Sequence, residues 1–212
     1  MSKSVVDISS ILFHWPKIFL FGILGAVIVT LLSLINPLEY SSRTQILITQ
    51  ELGPVDSYTA SRSSERIAED LANIVYTSTF FEKVMSSGYN LDATYFPEDP
   101  YKLRKKWGKT ISATVVRGSG LLSIKAYHSN RDQAEELTRA VAFILTTQGW
   151  TYTSGGSLRI QIVDEPLNSK YPARPNLPLN AASGLVLGSI LSAIYIFLKH
   201  QNQSSNHQLV HL

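Results

Sequence analysis

Two uncharged apolar runs, one towards each end of the sequence, limit what this chain can fold into more than any other feature. The first is IFLFGILGAVIVTLLSLI, Ile18–Ile35; the second is AASGLVLGSILSAIYIFL, Ala181–Leu198. A bilayer core about 30 Å thick takes roughly 20 apolar residues of helix. Neither run has the polar stripe of a surface helix on a soluble core, so both are expected to span a membrane, over 18–36 and 180–198. The first run is longer than the apolar core of a signal peptide, about 7–15 residues, and INPLEYSS after it offers no small-x-small cleavage site. It is therefore expected to stay as an anchor. Lys3 and Lys17 precede the first run and Lys199 follows the second. Lysines at span ends favour the cytoplasm, which puts both ends there and the intervening segment outside. The expected order is a cytoplasmic segment 1–17, the first span, an extracytoplasmic domain 37–170, a connector 171–179, the second span, and a tail 199–212.

The domain between the spans is an ordinary mixed sequence. Lys and Arg total 19 against 16 Asp and Glu over the whole chain, and cysteine is absent. So slight a basic excess makes no case for nucleic acid, and the lack of cysteine is compatible with an oxidising compartment. YSSRTQILITQ, 40–50, is rich in β-formers and reads as a strand. From 61 to 87, apolar residues recur at three- and four-residue steps (Ile67, Leu71, Ile74, Val75, Phe81, Val84, Met85), which predicts one long helix stopping at Gly88. LDATYFPEDPYK is a loop, and PYKLRKKWGK a short basic helix. TISATVV and LLSIKAYH flank Gly118-Ser119-Gly120, a hairpin whose glycines supply positive φ. Asn130, with Gln133 three residues on, predicts a capping box. It opens a helix with Ala134, Leu137, Val141, Ile144 and Leu145 on its apolar face. LRIQIVDEP, 158–166, is the last strand. This β-α-β-β-α-β order is the ferredoxin-like arrangement, so the expected fold is α+β, with its first and last strands close together and both spans leaving from one place.

Three groups of residues stand out. Pro172, Pro175 and Pro178 recur every third residue before the second span, a spacing that favours a stiff polyproline II connector. It would fix the angle between domain and span; the plainer alternative is a linker that stops the helix. Gly184, Gly188 and Ser192 recur every fourth residue, and such small residues let helices approach closely in lipid. Gly22, Gly25 and Ala26 give the first span a smaller flat face. The spacing leaves the partner open: the other span, a neighbouring protomer or another protein. Lys102, Arg104, Lys105, Lys106 and Trp107 on the basic helix are candidate contacts for an anionic lipid or glycan. The alternative, favoured here, is a solvated face with Trp107 as its core anchor. Arg62, Glu65, Arg66, Glu69 and Asp70 alternate in sign and read either as a soluble face or as charges that pair across an oligomer.

Catalysis has little support. There is no thiol nucleophile, His128 is the only histidine between the spans, and no phosphate loop with Gly-Lys-Ser/Thr occurs. No catalytic residue, metal site or cofactor is expected, and His200, His207 and His211 do not suggest a metal site.

A span near each end, the β-α-β-β-α-β domain, and the run Pro172-x-x-Pro175-x-x-Pro178 entering a glycine-containing helix together resemble the Wzz-type chain-length determinants, or polysaccharide co-polymerases. Some details differ. Leu179 and Asn180 stand where members often carry a basic residue, HSNRDQAEE replaces an Asp-Pro helix start, and there is no long helical stalk. The resemblance is to the short form without a kinase domain. It implies a homo-oligomeric plasma-membrane scaffold that sets the length of an O-antigen, capsule or exopolysaccharide, beside a polymerase or the lipid-linked glycan. Two alternatives accompany it. One is an adaptor that activates a separate cytoplasmic tyrosine kinase, against which the tyrosine-free tail KHQNQSSNHQLVHL counts. The other is a membrane-anchored glycan-binding module.

Overall fold

The computed structural model describes residues 15–51, 56–153 and 157–209. Most of the segment 1–17 with Lys3, part of the turn after the first strand, the centre of YTSGGS, and the end of the tail lie outside the described residues. The elements in chain order are α1 (Trp15–Ser33), β1 (Tyr40–Glu51), α2 (Ser57–Ile74), α3 (Ser78–Met85), α4 (Pro100–Thr110), β2 (Ile111–Val115), β3 (Leu121–His128), α5 (Arg131–Gln148), β4 (Ser157–Asn168) and α6 (Leu177–Leu209). Two compact units form: Leu38–Ala173, and the chain up to Pro37 together with the chain from Arg174 onward.

The first unit is α+β. Its four strands make one antiparallel sheet in the order β2-β3-β1-β4. Alternation decides the faces: Ser42, Thr44, Ile46 and Ile48 of β1 and Leu122, Ile124 and Ala126 of β3 are buried. They meet the apolar stripes of α2 and α5, where Ala68, Leu71, Leu137, Val141, Ile144 and Leu145 are buried in the same core. Each helix start has a side-chain cap that accepts a free amide. Asp56 accepts from Thr59 N at 2.9 Å, Asp99 from Lys102 N at 2.8 Å, and Asn130 from Asp132 N at 2.8 Å. The hydrogen bonds from Thr59 hold the Asp56 carboxyl below its usual pKa.

The expected long helix over 61–87 is two helices. The Thr77 hydroxyl donates to the Ile74 carbonyl at 2.7 Å and accepts from Phe80 N at 3.3 Å, so one side chain ends α2 and caps α3. A hydroxyl competing with the backbone ladder is why such residues favour helix ends. The hairpin glycines also divide their roles. Gly118 has φ +72°, as expected, whereas Gly120 is needed for closeness: its carbonyl accepts from Ile48 N at 2.9 Å, and a Cβ there would strike the Ile48 carbonyl oxygen. Nor is the capping box reciprocal. Gln133 instead grips the 90–92 loop, accepting from Asp92 N and donating to the Asn90 carbonyl, each at 2.9 Å. The Asn130 amide donates to His128 Nδ1 at 2.9 Å.

The two ends of this unit are bonded to one another. Ser169 N donates to the Ser41 carbonyl and Ala173 N to the Glu39 carbonyl, both at 2.7 Å. These bonds continue the β1–β4 ladder to the places where the chain enters and leaves the unit.

The second unit is an antiparallel pair of helices, α1 and α6. α1 and the stretch Leu177–Lys199 of α6 each have mean hydropathy 2.0 and are long and apolar enough to cross a membrane. Their outer surfaces are large and apolar: Leu20, Leu31, Leu191 and Tyr195 are each more than half exposed. An apolar surface of this extent is unfavourable in water and suits lipid.

Candidate functional site

The contact between α1 and α6 is built from small residues. A Cβ placed on Gly25 would lie 2.5 Å from the Gly184 carbonyl oxygen and 3.0 Å from Gly188 Cα; one on Gly184 would lie 2.6 Å from the Gly25 carbonyl oxygen and 2.9 Å from Ala26 Cα. Gly188 faces the Phe21 carbonyl and Gly22 so closely that no side chain fits there. The glycine face of α6 and the flat face of α1 therefore meet each other within one chain. Ser192, one turn beyond Gly188, is buried as well. Close backbone approach gains dispersion contacts that apolar lipid cannot compete away.

A polar bond closes one end of this seam. Asn180 Nδ2 donates to Ser33 Oγ at 2.5 Å, and Ser33 is buried. The glycine spacing did not predict this bond. Its signal was a polar residue near the end of the first apolar run and another just before the second, at positions that an antiparallel pairing would align.

The proline segment is shorter than a rod over 171–179. α6 begins at Leu177, so Pro178 lies in its first turn, where the missing amide has no helical partner to lose. The Asn176 side chain caps this start, accepting from Leu179 N at 3.2 Å. Pro172 and Pro175 precede the helix, and the Arg174–Pro175 bond is cis.

The basic helix α4 separates into two faces. Lys102, Arg104 and Lys105 are exposed. Trp107 is not available to a ligand: it is fully buried, Nε1 donates to the Val75 carbonyl at 2.7 Å, and its ring packs edge-on against Phe81 at 5.1 Å and Phe96 at 5.9 Å between centroids. It anchors α4 where α2 ends, so sugar stacking on Trp107 is excluded by its packing. The exposed aromatic ring of this helix is Tyr101. Lys106 turns inward, its Nζ 3.8 Å from the centroid of Tyr95, a cation–π contact. Tyr95 also stacks 4.0 Å from the His128 ring and donates to Glu39 Oε1 at 3.2 Å. His128 is 5% exposed. Burial of its imidazole pushes its pKa below the ordinary value, against the smaller opposing effect of the Asp92 charge.

The alternating charges of α2 are partly used inside the domain. Glu65 is buried; it accepts from Arg62 Nη1 and from the Gly118 amide, both at 3.1 Å, and so holds the hairpin turn. Glu69 and Asp70 remain exposed. Among the described residues, no group of three His, Cys, Asp or Glu is placed to hold a metal ion.

No protein-family model matches the chain, and no curated protein matches it.

Proposed function

We propose that this chain is a two-span plasma-membrane protein with its α+β domain outside the cytoplasm, and that it sets the chain length of a surface polysaccharide as an oligomeric scaffold beside the polymerase. The observation that carries the reading is the domain whose first and last strands are neighbours and whose ends are bonded together, set between two apolar helices that pair through glycine. The strand order β2-β3-β1-β4, with the first and third strands at the centre of the sheet, supports a ferredoxin-like assignment. Pro172, Pro175 and Pro178 before α6 add the sequence feature shared with the polysaccharide co-polymerases. A scaffold needs no catalytic group. It needs a rigid body outside the bilayer and a fixed helix pair within it, so that assembly on one side orders the other.

The test is the size distribution of surface polysaccharide in the native host, compared between the intact strain, a deletion strain, and the deletion strain complemented with wild type. Deletion is expected to broaden or shift the lengths while total polysaccharide persists, and complementation to restore them. Unchanged lengths would refute the reading, and loss of all polysaccharide would favour an assembly or kinase-adaptor role. A single cysteine at the exposed position 101 (Tyr101→Cys), in a chain that otherwise has none, should react with a membrane-impermeant maleimide in intact spheroplasts. Labelling only after lysis would overturn the topology.

A further inference from the structure

The sheet of the α+β unit buries one face under its helices; the other face carries an unbalanced pair of cations. Arg43 of β1 and Lys125 of β3 are directly opposite in the antiparallel register. Both lie on the face turned away from the core, because Ser42, Thr44, Ile124 and Ala126 beside them are buried. Like charges directly opposite one another destabilise a sheet. Among the described residues neither forms an ion pair; Arg43 Nε donates to Ser123 Oγ, at 3.0 Å. The two cations share a depression of about 290 Å³ with Gln45, Asp164, Leu167 and Asn168, room for a group the size of one sugar residue. The Asn168 side chain does not face the depression: paired with the buried Ser42, it turns to the helix side of the sheet, where its Nδ2 donates to Glu135 Oε2 of α5.

We infer that this depression binds an acidic saccharide, with a uronate-type carboxylate between Arg43 and Lys125 and a sugar hydroxyl donating to Asp164. The anion would remove the repulsion between the two cations. The remaining groups decide its chemistry. A single carboxylate beside a pair of cations opposes a polyanion such as nucleic acid, which needs a longer basic track. It suits a ligand that carries one negative group per sugar residue among hydroxyl donors, since an ionised carboxylate only accepts. This deepens the proposed function by naming the class of glycan, and rests on that reading for the glycan to be its physiological ligand.

The test uses the full chain in phosphatidylcholine nanodiscs, titrated calorimetrically with trigalacturonate, maltotriose and inorganic phosphate. Trigalacturonate is expected to bind, and maltotriose at least tenfold more weakly. Lys125→Gln and Arg43→Gln should each weaken trigalacturonate on the order of tenfold, the scale of a lost charge-assisted hydrogen bond. The urea midpoint of ligand-free Lys125→Gln should stay level or rise, because a repulsion is removed; this separates lost binding from lost folding. Absence of trigalacturonate binding, equal binding by the Lys125→Gln variant, or phosphate binding as tightly as trigalacturonate would overturn the assignment. If trigalacturonate fails to bind while deletion still alters polysaccharide length, the site falls and the proposed function stands. If trigalacturonate binds while deletion leaves the lengths unchanged, the site stands and the proposed function falls.

Discussion

Replacing Trp107 with phenylalanine tests whether the basic helix is anchored or ligand-facing. The indole Nε1 is the donor to the Val75 carbonyl, at the end of α2, and the residue is fully buried. Phenylalanine keeps an aromatic ring but removes that donor, and a buried acceptor deprived of its partner costs about 1–3 kcal/mol. The smaller ring also leaves a void of roughly 40 Å³, which at about 24 cal/mol per Å³ adds about 1 kcal/mol. The expected loss is therefore about 2–4 kcal/mol. With a urea dependence of about 2 kcal/mol per molar, the middle of the usual range, the midpoint should fall by about 1–2 M. The assay is far-UV circular dichroism of the full chain in dodecyl maltoside during urea titration, where the micelle protects the apolar helix pair and the signal change reports the α+β unit. A midpoint within about 0.3 M of wild type, given that urea dependence, would refute the reasoning and return Trp107 to the candidates for ligand contact.

Gly120→Ala should destabilise the same unit by about 1–3 kcal/mol, the usual cost of an overpacked site, because the added Cβ meets the Ile48 carbonyl; a urea midpoint equal to wild type would contradict the close approach. His128 is buried with a lowered pKa, so the unfolded chain takes up its proton first as pH falls. Its contribution is complete above the unfolded value near 6.5 and is lost as pH falls through that value towards the folded one. The urea midpoint should accordingly drop between about pH 7 and pH 5 in wild type, and the slope over that window should flatten in His128→Phe; parallel slopes would assign the effect elsewhere. Gly188→Val should force α1 and α6 apart, since interaxial distance follows side-chain size. Spin labels at Phe19 and Leu191, read by double electron–electron resonance in nanodiscs, should show a longer and broader distance distribution, and an unchanged one would mean the helices do not meet on this face.

Where periodicity and burial coincide, the fold was legible from the residues. Leu137, Val141, Ile144 and Leu145 lie in the core as their spacing indicates, and Asn130 caps α5. What stayed hidden depended on partners remote in sequence. The break at Val75–Thr77 sits inside an unbroken apolar stripe, because the stripe continues from α2 into α3 on the same core; only the Thr77 hydroxyl marks it, and such hydroxyls occur within helices too. The destination of Gln133 was equally obscure, since the 90–92 loop that receives it has no periodic signal. At the candidate site, the four-residue step of Gly184 and Gly188 announced close packing but not the partner. Gly22 and Gly25 become that partner only in an antiparallel arrangement. The facing of Arg43 and Lys125 could not be read either, because strand register is set by pairing across about eighty residues.

The backbone bonds from Ser169 to Ser41 and from Ala173 to Glu39 have a consequence for how the chain assembles. Joining the ends of a loop longer than about a hundred residues costs roughly 4–5 kcal/mol of chain entropy, and here the loop Leu38–Ala173 is continuous at both ends with helices that themselves associate. Once α1 and α6 have met, β1 and β4 search for each other at the high effective concentration of a tethered pair. The closure cost is then met once for the helices and the sheet together. Cleaving the chain from either helix would remove that advantage without touching a single contact in the domain, so the isolated domain should fold more slowly and unfold at lower urea than the same sequence on its helices.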